Sequence, residues 1–402
     1  MNQGILVSIL SIFLYLSSLL GGGQGQPIES LDPPLGQQSY AVLGRSGVVA
    51  VDRITLRRSP SLEAQALGTV TREAKVTVLD HIENWYKIRP RTGVEGWVPD
   101  YAVIVQESVE TGGDQIVLGF FPGGLLAYES LLENGAKLTG LSALGWELDR
   151  YGKLSASFDH EEMGRTLYLA GNREMDTYAH IRLAVEPSYL LELEHLQQDT
   201  LAQILDLVDE WGLKGVLLDL AYLPGREQNA LFGFLNNLAD NLRQEGKKSM
   251  AALPWDASID YGAAGEAVDY LVLKTSPDPL PGQPGSGAST AEVEAMLQEI
   301  TASVAPETLI LGLSTGGIHW PRSGLPRSLS HQEVLELAAQ EGARVKWDTA
   351  SKLPFFTYNG GEVWFENRYS LQYKMDLAEE FRLGGLALFN LGQEDDQIWA
   401  RL

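Results

Sequence analysis

Cysteine is absent from this 402-residue chain, which excludes disulfide bonds, thiolate metal sites, a cysteine nucleophile and a lipid-modified N-terminal cysteine. Basic residues are also scarce: 30 Lys and Arg face 53 Asp and Glu, for a formal net charge of -23. Affinity for nucleic-acid phosphates comes mainly from clustered basic side chains, so this charge disfavours a nucleic-acid partner. The six histidines are scattered without HExxH-type spacing. We therefore predict no metal site and no cofactor, and interpret the histidines as surface or packing residues.

The chain contains one long apolar run, the segment Ile5–Leu20 (ILVSILSIFLYLSSLL), which is slightly short for a membrane-spanning helix. Glycines follow the run, as small residues do at a signal-peptidase site, although no Lys or Arg precedes it. The pattern favours a cleaved signal peptide and hence a secreted or cell-envelope protein. An uncleaved membrane anchor and a buried helix are the alternatives, and membrane contact is expected only if the segment is uncleaved.

Composition divides the chain into four segments. Residues 1–25 form the signal peptide or anchor, and residues 26–44, rich in Gln, Pro and Gly, are expected to be a linker. Residues 45–106 contain short β-rich runs such as KVTVLD and WYKIRP between turns, which predict a small all-β barrel. Residues 114–402 contain apolar runs that alternate with helical stretches, which predict a larger second domain.

The C-terminal segment is predicted to be an α/β domain. Eight apolar runs without polar alternation indicate parallel strands buried on both faces, namely IVLGFF, LTGLSAL, TLYLAG, GVLLDL, SMAALPW, YLVLKT, LILGLS and GLALFNLG. Helix-start signals of the capping-box type begin at Thr200, Ser289 and Ser330. Eight βα units predict a (β/α)8 TIM barrel, and an open doubly wound sheet is the alternative. The stretch FFTYNGGEVWFEN, with its turn at Asn359-Gly360-Gly361, predicts an inserted hairpin.

The stretch from Gly47 to Val105 resembles the bacterial SH3 (SH3b) family. The resemblance is carried by the elements ITLRRSPS, ALGTVTREAKVTVLD, NWYKIRP and VEGWVPDYAV. It implies binding to peptidoglycan or its peptides through a groove lined by the aromatic residues Tyr86, Trp97 and Tyr101. The alternative for Trp97 is that its ring fills the small core.

The stretch from Ile116 to Leu402 resembles glycoside hydrolase family 18, in the branch that includes spore-cortex and spore-germination glucosaminidases. The strongest matches are LILGLSTGGIHW, VKWDTASKLPFFTYNGGEVWFENRYSLQYKMDLAEEF and GGLALFNLGQEDDQIW. The resemblance implies cleavage of β-linked N-acetyl sugars with help from the substrate. A Glu at the end of the fourth strand protonates the leaving oxygen, and an Asp two residues earlier orients the acetamido group.

The expected catalytic motif of this branch, D-G-x-x-x-D-x-E, is incomplete. The segment Lys214–Ala221 retains Gly215 and Asp219, but Lys214 replaces the first Asp and Ala221 occupies the acid position. Alanine cannot donate a proton, and proton donation requires a group that holds and releases a proton near the working pH. We therefore predict that no catalytic set is intact and that the barrel is a pseudoenzyme.

Three further family positions have changed. The sixth strand reads Leu273–Pro277 and lacks the family's tyrosine, Gly316-Gly317 replaces a Tyr-Gly pair, and Phe389 replaces the tryptophan that floors the sugar subsite. An active N-acetylglucosaminidase or chitinase-type hydrolase with a relocated acid remains the alternative. The candidates for that acid lie near predicted strand or hairpin ends and are Asp256, Asp278 and Glu366.

Binding of a sugar can survive the loss of chemistry, because aromatic rings near the mouth still offer faces on which a sugar stacks. Those rings are Phe120, Phe121, Trp146, Trp255, Trp320 and Trp364. The predicted substrate-binding residues are Asp219, Lys274, Phe389, Trp255 and Trp320. Since a buried carboxylate is costly unless paired, we predict an ion pair between Asp219 and Lys274. The expected partner is peptidoglycan or another N-acetylated glycan, and a scaffold that binds an envelope or spore-layer protein is the other alternative.

Overall fold

In the computed structural model of the protein, the described residues are 42–105, 115–183, 188–220, 227–275 and 280–402. The apolar run at residues 5–20 and most of the predicted linker lie outside these ranges. Within them, no helix is long and apolar enough to cross a membrane.

The first domain is a seven-stranded antiparallel β-sheet, which confirms the all-β prediction. The strands are β1 (Ser46–Val49), β2 (Arg53–Arg57), β3 (Ala66–Thr71), β4 (Lys75–Ile82), β5 (Trp85–Pro90), β6 (Gly96–Pro99) and β7 (Val103–Val105). Their order in the sheet is β3-β2-β6-β5-β4-β1-β7. Alternate residues point inward, so that β4 buries Val76 and Val78, and the core consists mainly of valine, leucine and isoleucine.

The second domain begins with eight strands, of which all but one belong to a parallel sheet. These are β8 (Ile116–Phe121), β9 (Gly140–Leu148), β10 (Leu154–Ala156), β11 (Asp176–Leu183), β12 (Gly215–Leu220), β13 (Lys248–Pro254), β14 (Tyr270–Lys274) and β15 (Leu309–Ser314). The exception, β10, runs antiparallel to the end of β9. The long β9 therefore projects beyond the sheet and continues into a hairpin.

The inserted element forms a five-stranded antiparallel sheet, which is larger than the predicted hairpin. Its strands are β16 (Gly317–Pro321), β17 (Arg327–Leu329), β18 (Lys346–Asp348), β19 (Leu353–Tyr358) and β20 (Gly361–Phe365). The predicted hairpin is β19–β20, in which Tyr358 pairs with Gly361 across the turn Asn359-Gly360. Strand β18 lies at one edge of this sheet.

The last strand, β21 (Gly385–Phe389), closes the barrel. It pairs with β15 on one side and with β8 on the other, and β8 also pairs with β9. The eight parallel strands β8, β9, β11, β12, β13, β14, β15 and β21 thus form a closed ring, which confirms the predicted (β/α)8 barrel.

Nine α-helices are present in the described ranges, and most of them surround the barrel. They are α1 (Leu125–Asn134), α2 (His160–Gly171), α3 (Ser188–Glu192), α4 (Glu194–Glu210), α5 (Gln228–Gln244), α6 (Tyr261–Ala267), α7 (Thr290–Ile300), α8 (His331–Gln340) and α9 (Arg368–Glu380). The predicted capping boxes at Ser289 and Ser330 are confirmed, since each side chain accepts a hydrogen bond from the third residue of its helix.

Two local predictions are wrong. The run TLYLAG is the C-terminal half of α2, and the third barrel strand is β11. A short apolar run fits a helix as well as a strand, and here Met163, Thr166 and Ala170 bury one helical face. Thr200 lies inside α4 and not at its start. Its hydroxyl does not cap the helix, since it donates to Gly152 O at 2.9 Å and to Leu196 O in the preceding turn.

The two domains are in direct contact. The guanidinium of Arg173, which follows α2, donates to Gly44 O at 2.9 and 3.1 Å and to Leu131 O of α1 at 3.0 Å. Gly44 is the last residue of the predicted linker, and its N–H donates to Val78 O of β4 at 2.8 Å. Burial lowers the pKa of Arg173 to about 10, so the side chain remains charged at neutral pH. Leu79 of β4 packs into the core between the barrel and its helices. The first domain and the barrel are therefore joined by polar and apolar contacts.

Candidate functional site

The barrel axis is filled by side chains, and in barrels of this type the functional sites lie at the carboxyl ends of the strands. The interior cluster consists of Leu118, Phe120, Tyr178, Leu217, Met250, Ala252, Val272, Ile310 and Ala387. Above this cluster, near the end of β12, lies Asp219. The candidate site is therefore the layer of polar side chains between the packed interior and solvent.

Asp219 forms the predicted ion pair. Lys274 Nζ on β14 donates to Asp219 Oδ1 at 2.5 Å and also lies 3.4 Å from Leu220 O. The two strands are separated by β13, and both side chains point into the barrel. The predicted contact between Asp219 and Lys274 is thus confirmed.

His180 on β11 is a second partner of Asp219 that the sequence analysis missed. Its Nε2 lies 3.4 Å from Asp219 Oδ2, and its Nδ1 lies 3.3 Å from Ser142 Oγ on β9. Ser142 and His180 are buried, so this Ser-His-Asp array gives a substrate no access to the hydroxyl. The array therefore orients Asp219 and does not form a nucleophilic triad.

The partners of Asp219 hold it as an anion. Burial by itself would raise the pKa of Asp219, but the hydrogen bond with His180 and the charge of Lys274 outweigh burial and lower the pKa to about 2. A carboxyl group with such a pKa carries no proton at neutral or mildly acidic pH. Asp219 is therefore unsuited to proton donation.

Other carboxylates near the mouth also have cationic partners. Glu147 on β9 forms an ion pair with Arg182 on the neighbouring β11. Arg182 lies two residues after His180 on the same strand, closer to its carboxyl end. Glu366, which follows β20, is buried and pairs with the buried Lys374, and it accepts a hydrogen bond from Ser370 Oγ at 2.5 Å. Each of these carboxylates is neutralised locally.

The catalytic-acid position and the relocated-acid candidates can be placed only in part. Ala221 and Asp278 lie outside the described residues. Asp256 is exposed and accepts a hydrogen bond from Ser258 N at 2.8 Å, which lowers the pKa of Asp256. Glu366 is held by Lys374 and Ser370, whereas Asp256 has no cationic partner among the described residues.

The aromatic side chains divide into buried and accessible groups. Phe121 and Trp146 are buried in the core between barrel and helices, which corrects their expected position near the mouth. Phe389 stacks on Phe120 with a centroid separation of 4.0 Å at the top of the interior cluster. Trp255, directly after β13, is exposed. The predicted binding roles of Phe389 and Trp255 remain predictions.

Trp320 is buried but lines a cavity of about 250 Å³ between the end of β15 and the inserted sheet. Its Nε1 donates to Leu280 O at 3.0 Å, which fixes the ring, and Ser314, Trp364 and Glu366 also line the cavity. Asp219 and Lys274 are not among the described residues that line this cavity.

The predicted SH3 groove is reduced in the structure. Trp97 is buried, so its ring is unavailable for stacking, and its expected place in the groove is corrected to a place in the core. Tyr86 is half-buried and Tyr101 is exposed. A binding role for these two tyrosines remains a prediction. In the described ranges, no group of three or more His, Asp or Glu side chains is arranged to hold a metal ion.

Curated relatives of the chain are named as spore-associated proteins. It is 28% identical over 234 residues to the cortical fragment-lytic enzyme of Bacillus subtilis, covering 53% of this chain and 54% of that protein. It is also 28% identical over 206 residues to the putative sporulation-specific glycosylase YdhD of Bacillus subtilis, covering 47% and 49%. The chain thus spans about half the length of the curated relatives it matches.

Solved structures share the fold. The chitinase from Chromobacterium violaceum matches with a TM-score of 0.65 and 22% identity, over 71% of this chain and 97% of that chain. The spore cortex-lytic enzyme SleL from Bacillus megaterium matches with a TM-score of 0.65 and 21% identity, over 76% of both chains. At these identities the likeness establishes the fold alone.

Two family descriptions match the sequence directly. Glycosyl hydrolases family 18 matches residues 188–394, which is more than half of the chain, and the bacterial SH3 domain matches residues 52–103. Both matches agree with the closed parallel barrel and the antiparallel sheet in front of it. This protein therefore belongs to glycosyl hydrolase family 18 and carries a bacterial SH3 domain on the N-terminal side of the barrel.

Proposed function

We propose that this protein is a cell-envelope glycan-binding protein whose family 18 barrel holds an N-acetylated glycan, such as peptidoglycan, without hydrolysing it. The observation that carries the proposal is the pairing of carboxylates at the mouth. Asp219, Glu147 and Glu366 are each joined to a lysine or an arginine. In addition, the sequence has Ala221 at the position of the family's acid.

A general acid must hold a proton near the working pH and lie beside the leaving oxygen. A carboxylate paired with a cation favours the ionised state, which is the wrong state for this task. Asp219 is in this situation, because its partners lower its pKa to about 2, and Glu147 and Glu366 are likewise joined to Arg182 and Lys374. The pairing therefore supports binding over hydrolysis.

The same arrangement suits a neutral sugar. The local charges cancel within ion pairs, and exposed Trp255 and the cavity beside Trp320 offer aromatic and polar surface. The SH3 domain adds exposed Tyr101, which supports a second binding surface for the same polymer on the same chain. The spore-related names of the relatives favour the peptidoglycan of the envelope or of spore layers as the partner.

The test combines turnover and binding on the full chain. The purified protein is incubated with chitooligosaccharides and muropeptides, and products are followed by mass spectrometry beside an active family 18 chitinase. We expect no cleavage, but retention on purified peptidoglycan that falls in Trp255→Ala and Tyr101→Ala variants. Cleavage that disappears in Asp219→Asn contradicts the proposal. Absence of both cleavage and retention favours a scaffold for a protein partner.

A further inference from the structure

A concave surface on the outside of the barrel has features that neither the mouth nor the SH3 domain accounts for. We name it the lateral cleft, and it has a volume of about 500 Å³. Its lining residues are Trp347, Tyr369, Gln372, Tyr373, Asp376 and Arg401. Helix α9 supplies four of them at spacings of three and four, so they share one face, while the opposite face of α9 is buried. Trp347 comes from the edge strand β18.

Exposed aromatic rings are concentrated in the lateral cleft. Trp347, Tyr369 and Tyr373 are 38%, 54% and 44% exposed. Only four other Tyr, Trp or Phe side chains reach this exposure in the described part of the chain, and those four lie elsewhere. Grouped apolar surface that remains in water usually marks a place of contact, whereas single exposed residues need no explanation.

The rings are held in place by neighbouring cations. The guanidinium carbon of Arg368 lies 4.9 Å from the centroid of Tyr369, and Lys352 Nζ lies 5.7 Å from the centroid of Tyr373. Such contacts orient a ring while much of its surface stays open to solvent. A ligand that stacks on these rings therefore meets surfaces that are already positioned, which lowers the entropy cost of binding.

The remaining lining residues, Gln372, Asp376 and Arg401, carry an amide, a carboxylate and a guanidinium. Gln372 Nε2 donates to Asp376 Oδ1 at 2.6 Å, whereas Gln372 Oε1 is buried without a hydrogen-bond partner in the described residues. Arg401 forms no ion pair within those residues. The lining thus offers a carboxylate, an amide and a guanidinium, and Arg368 and Lys352 contact the rings, so the cleft suits a ligand that both donates and accepts hydrogen bonds.

A sugar ring combines these properties, because its C–H face stacks on an aromatic ring while its edge carries hydroxyl and amide groups. We propose that the lateral cleft is a second binding site for a neutral, β-linked N-acetylated glycan. This inference rests on the proposed function, because it assigns the same class of polymer to a site outside the mouth. Two sites on one chain raise retention on a long polymer, since the second contact is intramolecular once the first has formed.

The test is calorimetric titration of the full-length protein with chitohexaose, the hexamer of N-acetylglucosamine. We expect two molecules bound per chain, weaker binding at one of the two sites in Trp347→Ala or Tyr373→Ala, and unchanged binding in the ring-retaining variant Tyr373→Phe. The other site is expected to weaken in Trp255→Ala. Loss of one stacking ring is expected to raise the dissociation constant of the cleft by about tenfold. Leu335→Ala, at an exposed leucine of α8, is the matched surface control.

The outcomes separate the two proposals. A single site that Trp255→Ala weakens and Trp347→Ala leaves unchanged overturns the lateral cleft and retains the proposed function. A site that only Trp347→Ala and Tyr373→Ala weaken supports the cleft and contradicts binding at the mouth. No binding by the unmodified protein overturns both. Unchanged thermal unfolding of each variant shows that a lost site is not a folding defect.

Discussion

Replacing Lys274 by methionine isolates the electrostatic contribution of the mouth. The Asp219 side chain is 17% exposed and contacts Lys274 and His180 at 2.5 and 3.4 Å. Its pKa of about 2, compared with an ordinary value of 3.8, corresponds to about 2.5 kcal/mol of stabilisation at neutral pH. Because the carboxylate is only partly buried and keeps His180, we expect Lys274→Met to reduce the free energy of unfolding by about 2 kcal/mol, below the cost of breaking a fully buried pair.

The loss is expected to depend on pH in a defined direction. The folded pKa of Asp219 lies below its unfolded value, so its stabilisation is complete above about pH 4 and is lost as the pH falls toward 2. In Lys274→Met, only His180 still opposes the effect of burial on Asp219. The pKa of Asp219 is therefore higher in this variant than in the unmodified protein. The difference in stability between the two proteins should therefore be largest at pH 7 and small only at about pH 2.

Urea unfolding at both pH values, combined with Asp219→Asn in a double-mutant cycle, measures this contribution. We expect a coupling of about 1.5–2.5 kcal/mol at pH 7, with the double variant more stable than Lys274→Met. The exposed pair Arg72–Asp52 is the matched control, and removing it should cost less than about 1 kcal/mol. A coupling below about 0.5 kcal/mol, or a deficit that does not change with pH, would refute the electrostatic reasoning.

Three further predictions test the frame around the site. Arg173→Met should lower the free energy of unfolding by about 2–4 kcal/mol and loosen the SH3 domain; an unchanged melting temperature and an unchanged radius of gyration in X-ray scattering would contradict this. Gly152→Ala should lower the melting temperature far more than Gly212→Ala, because both glycines have positive φ but only at Gly152 does a Cβ meet Thr200 Oγ1, at 1.9 Å; equal shifts would be the wrong outcome. Ala221→Glu should remain inactive on chitooligosaccharides, and turnover would show that one carboxyl group is the whole defect.

The sequence predicted most of the barrel because parallel strands buried on both faces are continuously apolar. Seven of the eight runs correspond to barrel strands. The exception is informative: β11 carries the inward-pointing polar residues His180 and Arg182, so its composition resembles that of a surface strand. The run TLYLAG in α2 resembles a third barrel strand instead, because an apolar run of this length fits a helix or a strand.

Only one contact of the candidate site could be predicted from the sequence, namely the ion pair between Asp219 and Lys274. Asp219 and Lys274 were paired because both lie at inward positions and a buried carboxylate needs a cation. The role of His180 depends on which face of β11 points inward. The sequence analysis did not predict β11 as a strand, so it could not predict that His180 points toward Asp219. The burial of Trp97 was likewise undecided, since an aromatic ring in a small β-domain serves equally as core or as groove.

Under the proposed function, Lys274 has opposite effects on hydrolysis of a glycan and on binding of a glycan. Hydrolysis proceeds through an oxocarbenium-like transition state, whose positive charge is stabilised by nearby carboxylates. A lysine bound to the retained Asp219 cancels that stabilisation and adds a like charge where positive charge would develop. A neutral sugar in its ground state gains from the same pair, because the carboxylate remains compensated when the ring displaces water. Under the proposed function, the Asp219–Lys274 ion pair therefore favours binding of a neutral glycan over its hydrolysis.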